Sequence, residues 1–275
     1  MVVEDQVGRP IRTLVVTGGH PFEAEPFFEV FDADPQLAWS HAAHPTAVDT
    51  LAALRPGDWD AIVFYDMPGV GLRRGEVPRP EAPPPLLTEG LANLLDAGQG
   101  VVFLHHAIAS WPAWEEYARW VGGRFLYQPG VLAGKAWPDS GYAFDVTHRL
   151  TPVASHPVLD GIEDGFTITD ECYLAPVFED DVTPLLRSDA VFTDDRFYSA
   201  AAAIAGARNS RTGWSHPPGS NLAAWATRAR RSPAVYIQPG DGPSAYTNPS
   251  WRRLLANAVR WVASPDGRRW AAAEG

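Results

Sequence analysis

The sequence predicts an α/β protein, an open and mainly parallel sheet with helices on both faces. Short β-branched runs that are apolar on both faces recur in the first half, the pattern of interior parallel strands. Stretches with helical spacing separate them, so the order reads β-α-β-α. The chain has 275 residues, 45% of them apolar. A chain of that length buries ~75% of its unfolded surface, which supplies a core without a disulfide or structural metal.

Residues 11–17 form the first strand, stopped by the turn glycines Gly18-Gly19. Residues 21–31 space Phe22, Phe27, Phe28 and Phe31 as a helix does, with Pro26 tolerable only in a first turn or at a kink. Residues 37–40 suit a short second strand, and Thr46 is placed to cap a helix over 47–54. Residues 61–65 are the third strand. Residues 67–85, rich in Pro, Gly and Arg, read as a long surface loop. Leu86, Leu87, Leu91, Leu94 and Leu95 then form one apolar stripe, closed by Gly98. Residues 101–104 are the fourth strand, followed by a helix over 111–121. In the second half, residues 142–146, 166–169, 222–225 and 234–238 look like strands between proline-rich connections. A helix from 248 or 249 to 263 closes the chain and lines Leu254, Leu255, Ala258, Val259 and Val262 on one face. One domain over 11–264, with tails at 1–10 and 265–275, is the expected organisation.

Composition excludes several functions. Twenty-two basic and thirty-three acidic residues give a net charge of −11, which argues against general binding to nucleic acid or anionic membrane. Lys135 is the only lysine, so Schiff-base chemistry would have to use it. The single cysteine, Cys172, excludes an internal disulfide framework and any multi-cysteine metal site. The first ten residues lack a secretory layout, and no run approaches the ~20 apolar residues of a membrane span. A cytoplasmic location is expected.

Ligands of open parallel sheets bind outside the carboxyl ends of the strands. Three polar clusters fall there: Gly18-Gly19-His20-Pro21, Tyr65-Asp66 and His105-His106. If extended geometry persists, His105 and His106 point to opposite sides, and His106, nearer the turn, is the one expected in the pocket. Glu171 follows a predicted strand and suits acid–base work or metal ligation, while its neighbour Asp170 should point elsewhere. Tyr173 can hydrogen-bond a substrate hydroxyl or fill the core. His156 and His216 precede prolines, where turn chemistry is the alternative to a site role. Trp214 and His216 in the loop 213–221, and Asp241 in 238–246, are expected over the same edge. Eleven tryptophans and eight tyrosines suit sugar recognition, since such rings present an apolar face and a polar tip. Trp111, Trp114 and Trp214 are the best placed. Ser110, the nearest hydroxyl to the fourth strand, reads as a helix cap.

Several stretches together resemble the ThuA-like (trehalose-utilisation) family. They are Gly-Gly-His20-Pro-Phe, Gly100-Val-Val-Phe-Leu-His-His-Ala107, Trp111…Trp114-Glu-Glu-Tyr117 and Gly122-Gly123-Arg-Phe125. Ser155-His156-Pro157 with Asp160-Gly161, Thr169-Asp-Glu-Cys-Tyr173, and Asn248-Pro-x-Trp-Arg-Arg-Leu-Leu-x-Asn-Ala-Val-Arg-Trp261 continue the match in order. The resemblance implies a single-domain flavodoxin-like fold of the class I glutamine amidotransferase-like superfamily. In that superfamily a nucleophilic cysteine follows the strand equivalent to 101–104. This chain has His105-His106-Ala107 there, so thiol glutaminase chemistry is not available at that turn. Many ThuA-like proteins carry Gly-His near 240–242; Gly240-Asp241-Gly242 stands here, which passes any such role to Asp241.

The reading that follows is an enzyme of carbohydrate metabolism, a hydrolase or lyase acting on a sugar or keto-sugar derivative. His20, His106 and Glu171 are its expected catalytic groups. His105, Trp111, Tyr173, His156, Trp214, His216 and Asp241 are its expected binding groups. A divalent metal such as zinc is the cofactor that His20, His105, His106 and Glu171 would suit. The expected partner is a small sugar-type ligand, not nucleic acid or membrane, with a homo-oligomer left open. The rival reading is a non-catalytic sugar-binding or regulatory protein on an amidotransferase-like fold.

Overall fold

Five strands, each flanked on both sides by a partner, carry the runs that are apolar on both faces. The computed structural model describes residues 9–71 and 76–273. In chain order, β1 (Ile11–Gly18), α1 (Ala24–Asp32), β2 (Leu37–Ala43), α2 (Ala47–Ala53) and β3 (Ala61–Asp66) come first. β4 (Val70–Gly71) and β5 (Arg79–Pro80) pair with each other, ahead of α3 (Pro85–Asp96), β6 (Gly100–Leu104), a 3-10 turn at His105–Ala109, and α4 (Glu115–Val121). β7 (Gly130–Leu132) and β8 (Lys135–Trp137) make a second small pair. Then follow β9 (Gly141–Pro152), β10 (Phe166–Leu174), β11 (Thr183–Ser188), β12 (Tyr198–Ser199), α5 (Ala200–Ile204), β13 (Leu222–Ala229) and β14 (Ser232–Ile237). The chain ends with α6 (Pro243–Tyr246), α7 (Pro249–Ala263) and α8 (Pro265–Ala272).

The large sheet has the order β10-β9-β11-β13-β14-β6-β3-β1-β2, with β12 added on β9. β2, β1, β3, β6 and β14 run parallel, and the predicted central strands are all in this flavodoxin-like layer. The remaining strands extend it antiparallel from β14. Side chains alternate between two apolar layers, as the period of two requires. Val15, Val63, Val102 and Val235 meet Phe27, Phe31 and α7 on one face. Leu14, Val16, Ile62, Phe64 and Phe103 meet Leu51, Leu87 and Trp120 on the other. No helix among the described residues is long and apolar enough to cross a membrane.

Register sets the functional edge. Gly18 pairs with Asp66, Phe64 with Phe103, and Leu104 with Ile237. The carboxyl ends of β1, β3, β6 and β14 therefore finish side by side. Gly19 is essential to that closeness: its φ is +83°, and a Cβ there would meet the Met67 carbonyl oxygen at 2.4 Å.

The antiparallel extension does not lie flat. Four strands separate β6 from β10, which in a flat sheet spaces them ~24 Å apart at 4.8 Å per step. Yet Glu171 on β10 reaches His105 at the end of β6, at 3.1 Å. The extension coils back, helped by irregularities in the β11–β13 register and a bulge between β9 and β10. At that bulge Phe144 and Asp145, the latter at φ +54°, stand opposite Glu171 alone.

Several local expectations need correction. Thr46 makes no side-chain cap; its hydroxyl donates to the Ala43 carbonyl. Leu86 is 71% exposed and leaves the stripe to Leu87, Leu91, Leu94 and Leu95, because at 3.6 residues per turn it lies ~100° off the face that Leu87, Leu91 and Leu94 share. Residues 265–272, expected as part of a tail, form α8, which buries Ala271. Pro265 at its first turn and the Ser264 hydroxyl accepting from Gly267 N start it. The surface loop at 67–85 contains the β4–β5 pair, and residues 72–75 of it lie outside the described residues.

Candidate functional site

β6 ends at Leu104, and the next residue, His105, has φ +45°. A left-handed conformation at a non-glycine residue costs of the order of 1–3 kcal/mol and persists only where surroundings enforce it. That turn overturns the expectation that His105 and His106 face opposite sides. Extended geometry stops one residue too early, and their rings lie 4.5 Å apart at 62°. Both residues are buried, at 0% and 1% exposure, so neither forms the cavity surface as His106 was expected to.

Each ring has distinct partners. His105 Nδ1–H donates to the Gln238 carbonyl at 2.5 Å. Its Nε2 lies 2.8 Å from the Tyr173 hydroxyl, 3.1 Å from Glu171 Oε2 and 3.5 Å from Asp241 Oδ1. His106 Nδ1 is 3.3 Å from the same Tyr173 hydroxyl, and its Nε2 is buried with no hydrogen-bond partner. Tyr65 stacks on the His106 ring at 4.8 Å, and His20 packs on it at 4.1 Å.

These contacts drive the two imidazoles apart in basicity. Burial disfavours the charged form of His105, but hydrogen bonds and charge from Asp241 and Glu171 overcome it and raise its pKa to about 10. His106 is lowered well below its usual value by burial and by the neighbouring His105 and His20. One is held as a cation between carboxylates, the other as a neutral ring. Burial raises the Tyr173 hydroxyl well above its usual range, with Glu171 and Asp241 adding to it. Burial also works against the Asp241 carboxylate, but the hydrogen bond and charge of His105 leave its pKa lowered.

Asp170 points away from its neighbour, as alternation predicts, and has a task of its own. Its carboxylate accepts from Gly240 N at 2.5 Å and Asp241 N at 3.2 Å, clamping the loop after β14. Burial raises its pKa to about 6, against the charge of His105 and the backbone donors that favour the carboxylate. The Asp241 carbonyl accepts from Tyr65 and Tyr246.

Beside this cluster lies a cavity of about 280 Å³. His20, Glu171 and Tyr173 line it together with Tyr142, Phe144 and Arg208. Ala200, Ala203 and Ile204 of α5 complete the wall. An alanine run carries no residue-type signal of a site, yet its methyl groups leave the space a larger side chain would fill. Gln238 was also missed, since a backbone carbonyl carries no residue-type signal.

Other expected site residues lie elsewhere. His156 accepts from Val158 N to cap the turn Pro157–Leu159 and packs its ring on Trp261 at 4.6 Å; the residue before proline is extended, which turns it toward α7. Trp214 donates to the Asp139 carbonyl and packs beside Phe192 and Phe197, and His216 is bound to the Pro217 carbonyl. Neither lines the cavity, because the loop 213–221 covers the face of β9 and β10 away from α5. Trp111, at φ +46°, lines a separate groove with His44 and Gly19. There His44 Nε2 meets Asp66 Oδ2 at 2.8 Å, a pair the sequence reading did not single out. Trp114 is buried against Trp120. Ser110 caps no helix; its hydroxyl donates to the Asp66 carbonyl. Cys172 is buried, its thiol pushed up by burial.

The residues able to hold a metal overlap only in part with those expected: His105 and His106 are among them, and Asp241 takes the place of His20 and Glu171. His105, His106 and Asp241 each offer a ligand atom within 4.8 Å of the others. His20 and Glu171 fall outside that set: His20 approaches His106 ring to ring, and Glu171 is held against His105 without being close to all three ligand atoms.

The family model for ThuA, described as trehalose utilisation, matches residues 59–262. A ThuA-like protein from Parabacteroides merdae superposes with a TM-score of 0.66 at 14% identity, covering 93% of this chain and 91% of that one. A ThuA-like protein from Bacteroides uniformis gives 0.58 at 16% identity, covering 97% of each chain. At such identities these two structures speak for the fold alone. Comparison with curated proteins gives no match.

Proposed function

Since the chain belongs to the ThuA family of trehalose utilisation, we propose that it is a hydrolase or lyase acting on a sugar or keto-sugar derivative in the 280 Å³ cavity. The observation that carries this is the double position of Glu171 and Tyr173. Both line the cavity, and both lie within 3.1 Å of His105 Nε2. A carboxylate held against a buried imidazolium at a cavity wall is oriented for proton transfer.

In this reading Glu171 is the base, taking a proton from water or from the carbon beside a keto group. His20, on the same wall, gives a proton to the leaving oxygen as its bond to carbon breaks. Tyr173 hydrogen-bonds a substrate hydroxyl. Tyr142 and Phe144 offer ring faces to the apolar side of the sugar. His105 and His106 act as positioning residues, the first fixing Glu171 and the second supporting His20 through ring contact.

The test is incubation of the chain with trehalose, related disaccharides and their keto derivatives, followed by NMR for both binding and turnover. Turnover abolished by Glu171→Gln is the expected result. Binding without turnover transfers the protein to the rival reading, a sugar-binding module, which the largely apolar cavity lining favours. The absence of both overturns the carbohydrate reading.

A further inference from the structure

We propose that His105, His106 and Asp241 bind one divalent transition-metal ion of the zinc type, beneath the wall formed by Glu171 and Tyr173. Their ligand atoms lie within 4.8 Å of one another. A tetrahedral site with bonds of 2.0–2.1 Å has edges of ~3.4 Å, so a modest contraction completes the set.

The cluster has the outer support that metal ligands need. His105 Nδ1–H donates to the Gln238 carbonyl, which directs the Nε2 lone pair to the cluster, and binding exchanges the Nε2 proton for the ion. Asp241 is held by the backbone bonds that Asp170 accepts from it and from Gly240. His106, 1% exposed, has a buried Nε2 with no hydrogen-bond partner. Three oxygens crowd His105 Nε2, those of Tyr173, Glu171 and Asp241, more than one proton can bridge.

Two imidazoles and a carboxylate favour zinc, cobalt or iron(II) over calcium or magnesium. Three protein ligands leave one tetrahedral position open. Glu171 and the cavity lie beside it, where a sugar carbonyl or hydroxyl would be polarised. Only that last role rests on the carbohydrate reading; the ion site itself rests on the donor set.

The full chain, stripped with a chelator and dialysed, is titrated with Zn(II) and with Co(II). Bound metal is read by mass spectrometry and by the visible absorption of Co(II). One equivalent is expected. His106→Ala and Asp241→Ala should each weaken Kd at least tenfold, while the remote His156→Ala binds as the parent does. Circular dichroism of the metal-free variants checks folding, and Asp241→Asn carries the test if an alanine variant does not fold. Uptake below a tenth of an equivalent, or unchanged affinity in folded His106 and Asp241 variants, overturns the proposal. Sugar binding is measured on the same samples. Sugar bound without metal uptake ends this proposal and spares the carbohydrate reading; metal uptake without any sugar binding does the reverse.

Discussion

Glu171 Oε2 and His105 Nε2 meet at 3.1 Å, although four strands of the sheet separate the strands that carry them. The contact joins the parallel layer to the coiled antiparallel extension, and Glu171 lines the cavity at that junction. Shape and chemistry are therefore coupled at this pair.

Glu171→Gln keeps the side-chain volume and removes the base. Turnover of the active sugar derivative should fall ~10²–10⁴-fold, the range for loss of a general acid–base group. Parallel melting curves should show a folded protein. A rate equal to the parent's would take Glu171 out of the chemistry.

His105→Ala leaves the carboxylates of Glu171 and Asp241 without their cation and the Gln238 carbonyl without its donor. Removing one partner of a buried pair costs about 3–5 kcal/mol. Urea unfolding of the metal-free protein measures it. His105→Asn should lose less, because asparagine accepts a positive φ more readily than alanine. Equal stability of the alanine variant and the parent would contradict the pairing.

Much of the fold was legible because runs such as 61–65 and 101–104 are short, apolar on both faces and rich in β-branched and aromatic residues, the mark of an interior strand. The antiparallel extension was less so, since its coil depends on bulges that no residue pattern in 142–174 announces. Strand-end position and residue type pointed to His20 and Glu171, and the family resemblance to Asp241; the structure gathers them with Tyr173 around His105 and His106. The relation of His105 to His106 was misjudged because one backbone angle decides it. His156, Trp214 and His216 were drawn in by residue type alone, and their loops run to other faces.

His156→Ala should leave ligand binding unchanged, for its ring packs on Trp261 and its nitrogen caps a 3-10 turn. A small fall in Tm with unaltered sugar titration is expected. Weakened binding at unchanged Tm would return His156 to the site.

Asp60 provides a pH-dependent element far from the cavity. Hydrogen bonds from Arg9 hold its carboxyl well below the usual range, against the effect of burial, and Arg12 adds to them. A lowered folded-state pKa means stability that is present above the unfolded value of ~3.9 and lost as pH falls below it. The difference in urea midpoint between parent and Asp60→Asn should therefore be larger at pH 7 than at pH 3. A difference that grows on acidification would reverse the sign and refute the assignment.

The coil of the extension also bears on self-association. A terminal strand offers a row of unpaired amides and carbonyls on which another chain can add. β10 is such a strand, but bending brings it against the segment that starts α7, where Asn248 donates its side-chain amide to the Thr167 carbonyl. The fold that carries Glu171 to His105 thus also blocks part of a template for strand addition, so a variant that flattens the sheet should become prone to aggregate as well as inactive.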